Sequence, residues 1–354
     1  MQKVAIIYHA NSHEEMSSMA DIQKIEKGDT AREQHQKEIH NERATEIRIA
    51  NMKQTPVFFI LGSKTKRSRI IHVEGHGVQA DLQNPVILDK DGIEIDTNSK
   101  TFDSIKKEYV FLLRTDVANV HNSLNFLEKL GCSLLTNSKQ EEKVSTWERY
   151  IPQGLKKRNT TTIQLDDFYE DYPPYKSLLQ LAREKKVLDE TQTSIFLKTE
   201  SKGSCWIIDL SDPEDFFDKV DLSFEHGSLQ QKLIISEVLD IQKDSKKKNL
   251  EYRVWVAGGK PSSYSRYVDE KDFLKMPSEI ALYASQFCKQ MQNVLPPFYI
   301  LDVALTNKGA TVIECNAMTA SGRYFHNNFG KFLDDTNTFL QEHNKEKNAE
   351  FRFN

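Results

Sequence analysis

Asp302, Glu314 and Asn316 lie in the stretch FYILDVALTNKGATVIECNA, residues 298–317, on either side of a polar turn that contains glycine. Apolar residues at 301, 303, 313 and 315 occupy the flanking positions, as in a β-strand with one polar face. The runs 298–305 and 311–317 read as a hairpin, joined by the loop Thr306 to Ala310 and centred on Lys308. That register sets Asp302 opposite Glu314, with Asn316 on the same face. Directly opposed residues of an antiparallel pair have Cβ atoms about 4.5–5.5 Å apart, and like charges there repel. A cation belongs between them. Two carboxylates and an amide oxygen suit a hard divalent ion, and Mg2+ typically takes one or two carboxylates plus substrate phosphates. The plainer reading is a solvated polar stripe.

A second constellation is EYRVWVAGGKPSSYSRY, residues 251–267. A two-residue turn at Gly258–Gly259 sets Glu251 opposite Arg266 and Arg253 opposite Tyr264, all on one face, while Tyr252, Val254 and Val256 fill the other. Forked guanidinium donors suit phosphate or carboxylate, and the plainer reading is a cross-strand ion pair of small value. In IFLKTESKGS, residues 195–204, Lys198 ends an apolar strand where its ammonium could meet phosphate oxygens, and Lys202 and Gly203 begin a turn. The spacing is not that of a P-loop. KTESKG partly matches the lysine motif of nucleotidyl-transferring nucleic-acid ligases, whose lysine becomes adenylated, but the required acidic–glycine pair is out of register. LIISEVLDI, residues 233–241, carries Glu237 and Asp240 near the end of an apolar strand, as an adenine-and-ribose edge or an ordinary strand would.

These side chains need a scaffold, and the chain of 354 residues, 38% hydrophobic, has enough apolar content to bury one. Its net charge of −4 gives no global pull toward nucleic acid or anionic membranes. The basic runs SKTKRSR (63–69) and KDSKKK (243–248) read as solvated loops, and HVEGHG (72–77) as a turn. No apolar run approaches the roughly 20 residues of a membrane span. Cys132, Cys205, Cys288 and Cys315 are scattered, which fits reduced thiols of a cytoplasmic protein. The opening KVAIIYH reads as a first strand, followed by a charged segment, residues 14–54, expected to be a solvated insertion without chemistry. Strand EYVFLLRT, helix DVANVHNSLNFLEKLG and strand CSLLTNS then suggest a small α/β domain with a parallel sheet over residues 1–139. From residue 140 to 335 hairpins and packed helices suggest an α+β domain, with 336–354 as a polar tail. Helix SEIALYASQFCKQMQNV places Ile280, Tyr283, Ala284, Phe287 and Met291 on one stripe.

Taken in order, strand Lys198, SEVLDI, EYRVWVAGGK…SRY, a helix, LDVAL and VIECNA…SGRY resemble the ATP-grasp superfamily over about residues 140–330. The chain is most similar to two branches, the ribosomal-protein glutamate ligases and the predicted peptide-ligase clade named for two arginines and a lysine. Its SKGS is thin beside the glycine-rich loop of many relatives. The resemblance implies an α/β N-terminal domain followed by an α+β ATP-grasp domain. It implies an ATP-dependent carboxylate–amine ligase working through an acyl-phosphate, with ATP and Mg2+ (or Mn2+) as cofactors. Carried onto this sequence, Asp302, Glu314 and Asn316 would hold the metal, Lys198 would contact phosphates, and Arg253 and Arg266 would grip the γ-phosphate and acyl-phosphate. Glu237 and Leu239 would meet adenine, Asp240 or Glu251 the ribose, and Lys143 would match a second ATP-contacting lysine. Ser321, Gly322 and Arg323 in MTASGRYF would face a small-molecule, peptide or protein acceptor. Two other readings are a non-catalytic nucleotide-binding regulatory module and a nucleotidyl-transferring ligase with Lys198 as nucleophile.

Overall fold

In the computed structural model the strand and helix signals resolve into three main sheets, the first and third of which share a packing helix. The structure describes residues 2–19, 21–24, 26, 29–64, 71–73, 76–79, 82–115, 119–137, 139, 147–155, 158–164, 174–199, 205–215, 232–267, 275–319, 321–322, 324 and 327–350, and every statement below is made of these. Lys143, Lys202, Gly203 and Arg323 lie outside them, as does most of the 63–69 run.

The first sheet is built around β1 (Lys3–Ala10), seven of whose eight residues are buried, as expected of a strand covered on both faces. After α1 (His13–Ser18) comes α2 (Ala31–Met52), opened by a capping box between Thr30 and Glu33. Next are β2 (Val57–Lys64), a separate hairpin of β3 (Ile71–Val73) and β4 (His76–Gln79), then β5 (Leu82–Leu88) and β6 (Glu94–Ile95). Helix α3 (Lys100–Glu108) runs directly into β7 (Tyr109–Arg114), and α4 (Val120–Lys129) follows. The order is β6-β5-β2-β1-β7. Strands β2 and β7 flank β1 in parallel, while β5 and β6 add antiparallel strands at one edge, so the expected parallel sheet is mixed.

The second sheet, β10-β9-β11-β8, contains β8 (Thr160–Gln164), β9 (Ser194–Thr199), β10 (Cys205–Asp209) and β11 (Lys232–Glu237), all antiparallel. It packs on α5 (Pro174–Glu184) through Leu178, Ala182, Ile195, Leu197 and Ile235. The third sheet, β13-β12-β14-β15, contains β12 (Glu251–Ala257), β13 (Lys260–Arg266), β14 (Tyr299–Thr306) and β15 (Gly309–Asn316). Helix α6 (Ser278–Met291) covers one face, with the expected stripe from Ile280 to Met291 buried against Tyr252, Val254 and Val256. Helix α7 (Phe329–Glu350) covers the other.

Two expectations fail here. The segment 14–54 is no solvated insertion: Ala44, Ile47 and Ala50 of α2 are buried, and Glu46 is fully buried. Its carboxylate accepts from Tyr8 Oη at 3.0 Å and forks with Arg114, Nε at 3.1 Å and Nη2 at 2.9 Å. Charge density misleads because the helix buries a carboxylate against a partner contributed by another strand. Nor do residues 336–350 stand apart as a polar tail: they continue α7, whose Leu340 joins Phe332 and Leu333 in a core shared with Tyr8, Ile47, Trp255 and Ile300, while 351–354 lie outside the described residues. That core joins the first sheet to the third. Among the described residues no helix is long and apolar enough to cross a membrane, and none of the four cysteines is in a disulfide.

Candidate functional site

The acidic hairpin forms, with a correction in its register. Gly309, at φ +97°, closes a turn tighter than the expected loop, so Thr306 already pairs with Gly309 and Val303 with Val312. A bulge at Ile313 then adds one residue to β15 and restores the pairing of Asp302 with Glu314. The buried Arg158 donates to the Ile313 carbonyl at 3.3 Å. Its position in the basic run KKRN hid it from sequence reading. Asn316 donates from Nδ2 to Asp302 at 2.9 Å and to Glu314 at 3.2 Å, so the expected triad is one cluster.

A cationic side chain from β12 meets Asp302. Register Arg253↔Asp302 aligns the side chains, and the guanidinium forks onto the carboxylate, Nε to Oδ1 and Nη2 to Oδ2, both 2.8 Å. Its Nη1 donates to the Gly322 carbonyl at 3.0 Å, and its plane lies over Tyr267 and Tyr324, 5.1 and 4.6 Å from the ring centres. Burial works against its charge, but Asp302 more than offsets this and keeps Arg253 firmly protonated. From the second sheet, Lys198 brings Nζ to 4.0 Å from Glu314 Oε1.

Glu251 completes the electrostatics. Its carboxyl is pushed up to about 7, first by burial, then by the charge of Asp302 and, after the opposing pull of Arg253, of Glu314. Three carboxyl side chains, Glu251, Asp302 and Glu314, thus meet two basic ones, Arg253 and Lys198. Asn316 Oδ1 is buried without a hydrogen-bond partner. An orphaned buried carbonyl beside two carboxylates is the donor set of a hard cation, so these residues fit Mg2+. Among the described residues no three His, Cys, Asp or Glu side chains form a metal cluster, and the third donor here is an amide.

Arg266 does not join them. The Gly258–Gly259 turn forms as expected, with φ of +60° and +72°, but a bulge at Ser262 shifts the ladder and sets Arg266 opposite Tyr252 instead of Glu251. Its guanidinium binds Asp244 at 2.7 Å and the carbonyls of Lys248 and Asn249. One inserted residue moves it to the other face of the sheet. The basic run 243–248 is the turn that holds it.

The segment after β11 joins the second sheet to the third. Gln242 N–H donates to Leu305 O at 2.8 Å, and the Leu239 carbonyl accepts from Ile241. Glu237 is tied down by Lys308 at 2.6 Å and the Asn159 N–H at 3.0 Å, and Asp240 accepts from Asn307. The loop after Asn316 is held by the first sheet and by α2. Met318 O accepts from Arg114, Thr319 O from the Thr115 N–H, and Glu42 accepts the Tyr324 N–H at 2.8 Å. Ser321 Oγ donates to Ala317 O at 2.6 Å. Sequence reading missed Glu42, Tyr267 and Tyr324, whose meeting depends on pairings far apart in the chain.

Residues 175–342 match the family model of an ATP-grasp domain, family 3 of the clade named for two arginines and a lysine. In fold the chain is similar to D-alanyl-alanine synthetase A from Vibrio cholerae (TM-score 0.51, 13% identity, 97% of each chain covered). It is also similar to D-alanine–D-alanine ligase from Bacillus anthracis complexed with ATP (TM-score 0.50, 13% identity, 98% of this chain and 99% of that one). A third similar fold is a RimK domain ATP-grasp protein from Sphaerobacter thermophilus (TM-score 0.50, 8% identity, 95% and 99%). No curated protein matches the chain in sequence.

Proposed function

We propose, from the premise that the chain belongs to the ATP-grasp superfamily through residues 175–342, that it is an ADP-forming ligase joining a carboxylate to an amine. The carrying observation is the convergence of Asp302, Glu314, Asn316, Arg253 and Lys198 where two sheets meet, with the Asn316 carbonyl left without a partner. In the reaction a carboxylate oxygen bonds to the γ-phosphorus as ADP leaves. The amine nitrogen then bonds to the carbonyl carbon, phosphate leaves with the bonding pair, and the amine proton passes to solvent.

Asp302, Glu314 and Asn316 would hold Mg2+. When bound, the metal supplies charge neutralisation on phosphate oxygens. Arg253 keeps Asp302 aligned and still has donors for the acyl-phosphate: a guanidinium has five N–H groups, of which Asp302 takes two and Gly322 one. Lys198 meets phosphate oxygens from the facing sheet. The backbone around Leu239 would meet the adenine, and Asp240 or Glu251 the ribose. Ser321 and Gly322 belong to the acceptor loop.

Titration calorimetry should show ATP binding that strengthens with Mg2+, and a screen of amino acids, peptides and polyamines should show acceptor-dependent ADP release. Negligible heat with and without Mg2+ would count against the whole reading. Labelled ATP should leave no adenylated protein after denaturing electrophoresis, as expected of a ligase that works through an acyl-phosphate, whereas a labelled protein band would favour Lys198 as a nucleotidyl-accepting nucleophile.

A further inference from the structure

Lys198 stands on the second sheet and Glu314 on the third, and their spacing fixes the slot in which phosphates and metal would meet. We propose that the ion pair of Glu237 with Lys308 is the strut that sets this spacing, which makes both of them positioning residues for the Mg2+ site; the inference rests on the ligase reading above.

The strut joins the same two sheets. Glu237 closes β11, the strand whose Ile234 pairs with Lys198 of β9. Lys308 stands in the turn between β14 and β15, the strands that carry Asp302 and Glu314. Its Nζ donates to Glu237 Oε2 at 2.6 Å, and the Asn159 N–H donates to Glu237 Oε1 at 3.0 Å. Each carboxylate oxygen thus already has a donor from the protein. The Glu237 side chain is 6% exposed and that of Lys308 61%, so the lysine covers a buried carboxylate from the solvent side. A buried carboxylate that loses its cation is destabilising, which holds the turn against the second sheet.

Neighbouring bonds keep the tie from sliding. Asn307 donates to Asp240, and Gln242 donates from its backbone to Leu305 O at 2.8 Å and from Nε2 to Thr306 O at 3.1 Å. Further along β15, Arg158, just ahead of β8, donates to the Ile313 carbonyl. The second sheet therefore grips β15 at its turn and at its bulge, and Glu314 follows the bulge directly. Groups that orient metal ligands without touching the metal typically change its affinity about 10–100-fold when removed. The resemblance implies adenine as the partner of Glu237; the strut gives that carboxylate a different task.

Titration calorimetry with ATP, in the presence and absence of Mg2+, tests the strut. In Lys308→Met, which keeps the aliphatic stem, the gain in ATP affinity that Mg2+ confers should fall about tenfold while binding of ATP alone changes little. Glu237→Gln should match it, Lys308→Arg should retain the gain, and excess Mg2+ should recover ADP release in both weakened variants. Thermal melts of the nucleotide-free protein give a second readout. The loss of Tm in the Glu237→Gln, Lys308→Met double variant should be smaller than the sum of the single losses, because the first change removes the charge that the second would strand. An unchanged Mg2+ gain in both single variants overturns the proposal, as do additive losses in the melts. Weakening by Glu237→Gln alone, equal with and without Mg2+, also overturns it and returns that carboxylate to the base. A wild type that binds no ATP under either condition overturns the ligase reading, and the spacing role with it.

Discussion

Glu251 is an acid whose ionisation the fold constrains. Its folded value of about 7 lies above the usual carboxyl range because of burial and then the charge of Asp302. The unfolded chain ionises it near pH 4.5, so stability is lost as pH rises from there through about 7 and is fully lost above. We expect Glu251→Gln to stabilise the nucleotide-free protein by about 1–2 kcal/mol at pH 8.5 and by almost nothing at pH 4, as paired thermal melts would show. Equal gains at both values would refute the assignment. Glu314 is the sharper probe of catalysis, because Asp302 also holds Arg253 while the Glu314 side chain is 34% exposed. Glu314→Gln should lower kcat by about 10²-fold with its fold intact, and steady-state ADP release reads this directly. The acids were legible because they lie on one hairpin, where alternation and a turn suffice. The Arg253–Asp302 fork was not, because pairing of β12 with β14 joins strands separated by a whole helix.

At the scale of elements, turns and stripes could be read and irregularities could not. The apolar stripe of α6 and the glycine pair at 258–259 announce themselves by periodicity and by positive-φ chemistry. The bulges at Ile313 and Ser262 leave no mark in the sequence, yet one restores the acid pair and the other turns Arg266 away. Helix α2 misled for a related reason: a buried carboxylate looks like a surface one until its arginine is known. Gly258 offers an element-scale test. A Cβ there would stand 2.5 Å from the Phe339 ring at a φ of +60°, so Gly258→Ala must unseat α7 from the β12–β13 turn. A cost of about 2–3 kcal/mol is expected, lowering Tm by about 5–10 °C in a thermal melt.

Across the whole molecule, α7 is the piece that both large layers lean on. The Asn337 side chain accepts the Val4 N–H at 2.8 Å, Phe339 packs edge-on to Phe298, and Phe332 meets Trp255. A chain ending at residue 328 should therefore lose the cooperative melt of the full protein. Far-ultraviolet circular dichroism on heating would reveal it, and an unaltered transition would restore the tail reading. The C-terminal core was partly visible as apolar residues, but its role as a joint between sheets was not, since its partners lie at the opposite end of the chain.

The extra residue at Ile313 also bears on how kindred chains should be compared. Counting outward from the turn glycine places the second carboxylate one position wrong in any homologue that lacks the insertion. Alignments of such hairpins are better anchored on the carboxylates, with the gap allowed to fall between them and the turn.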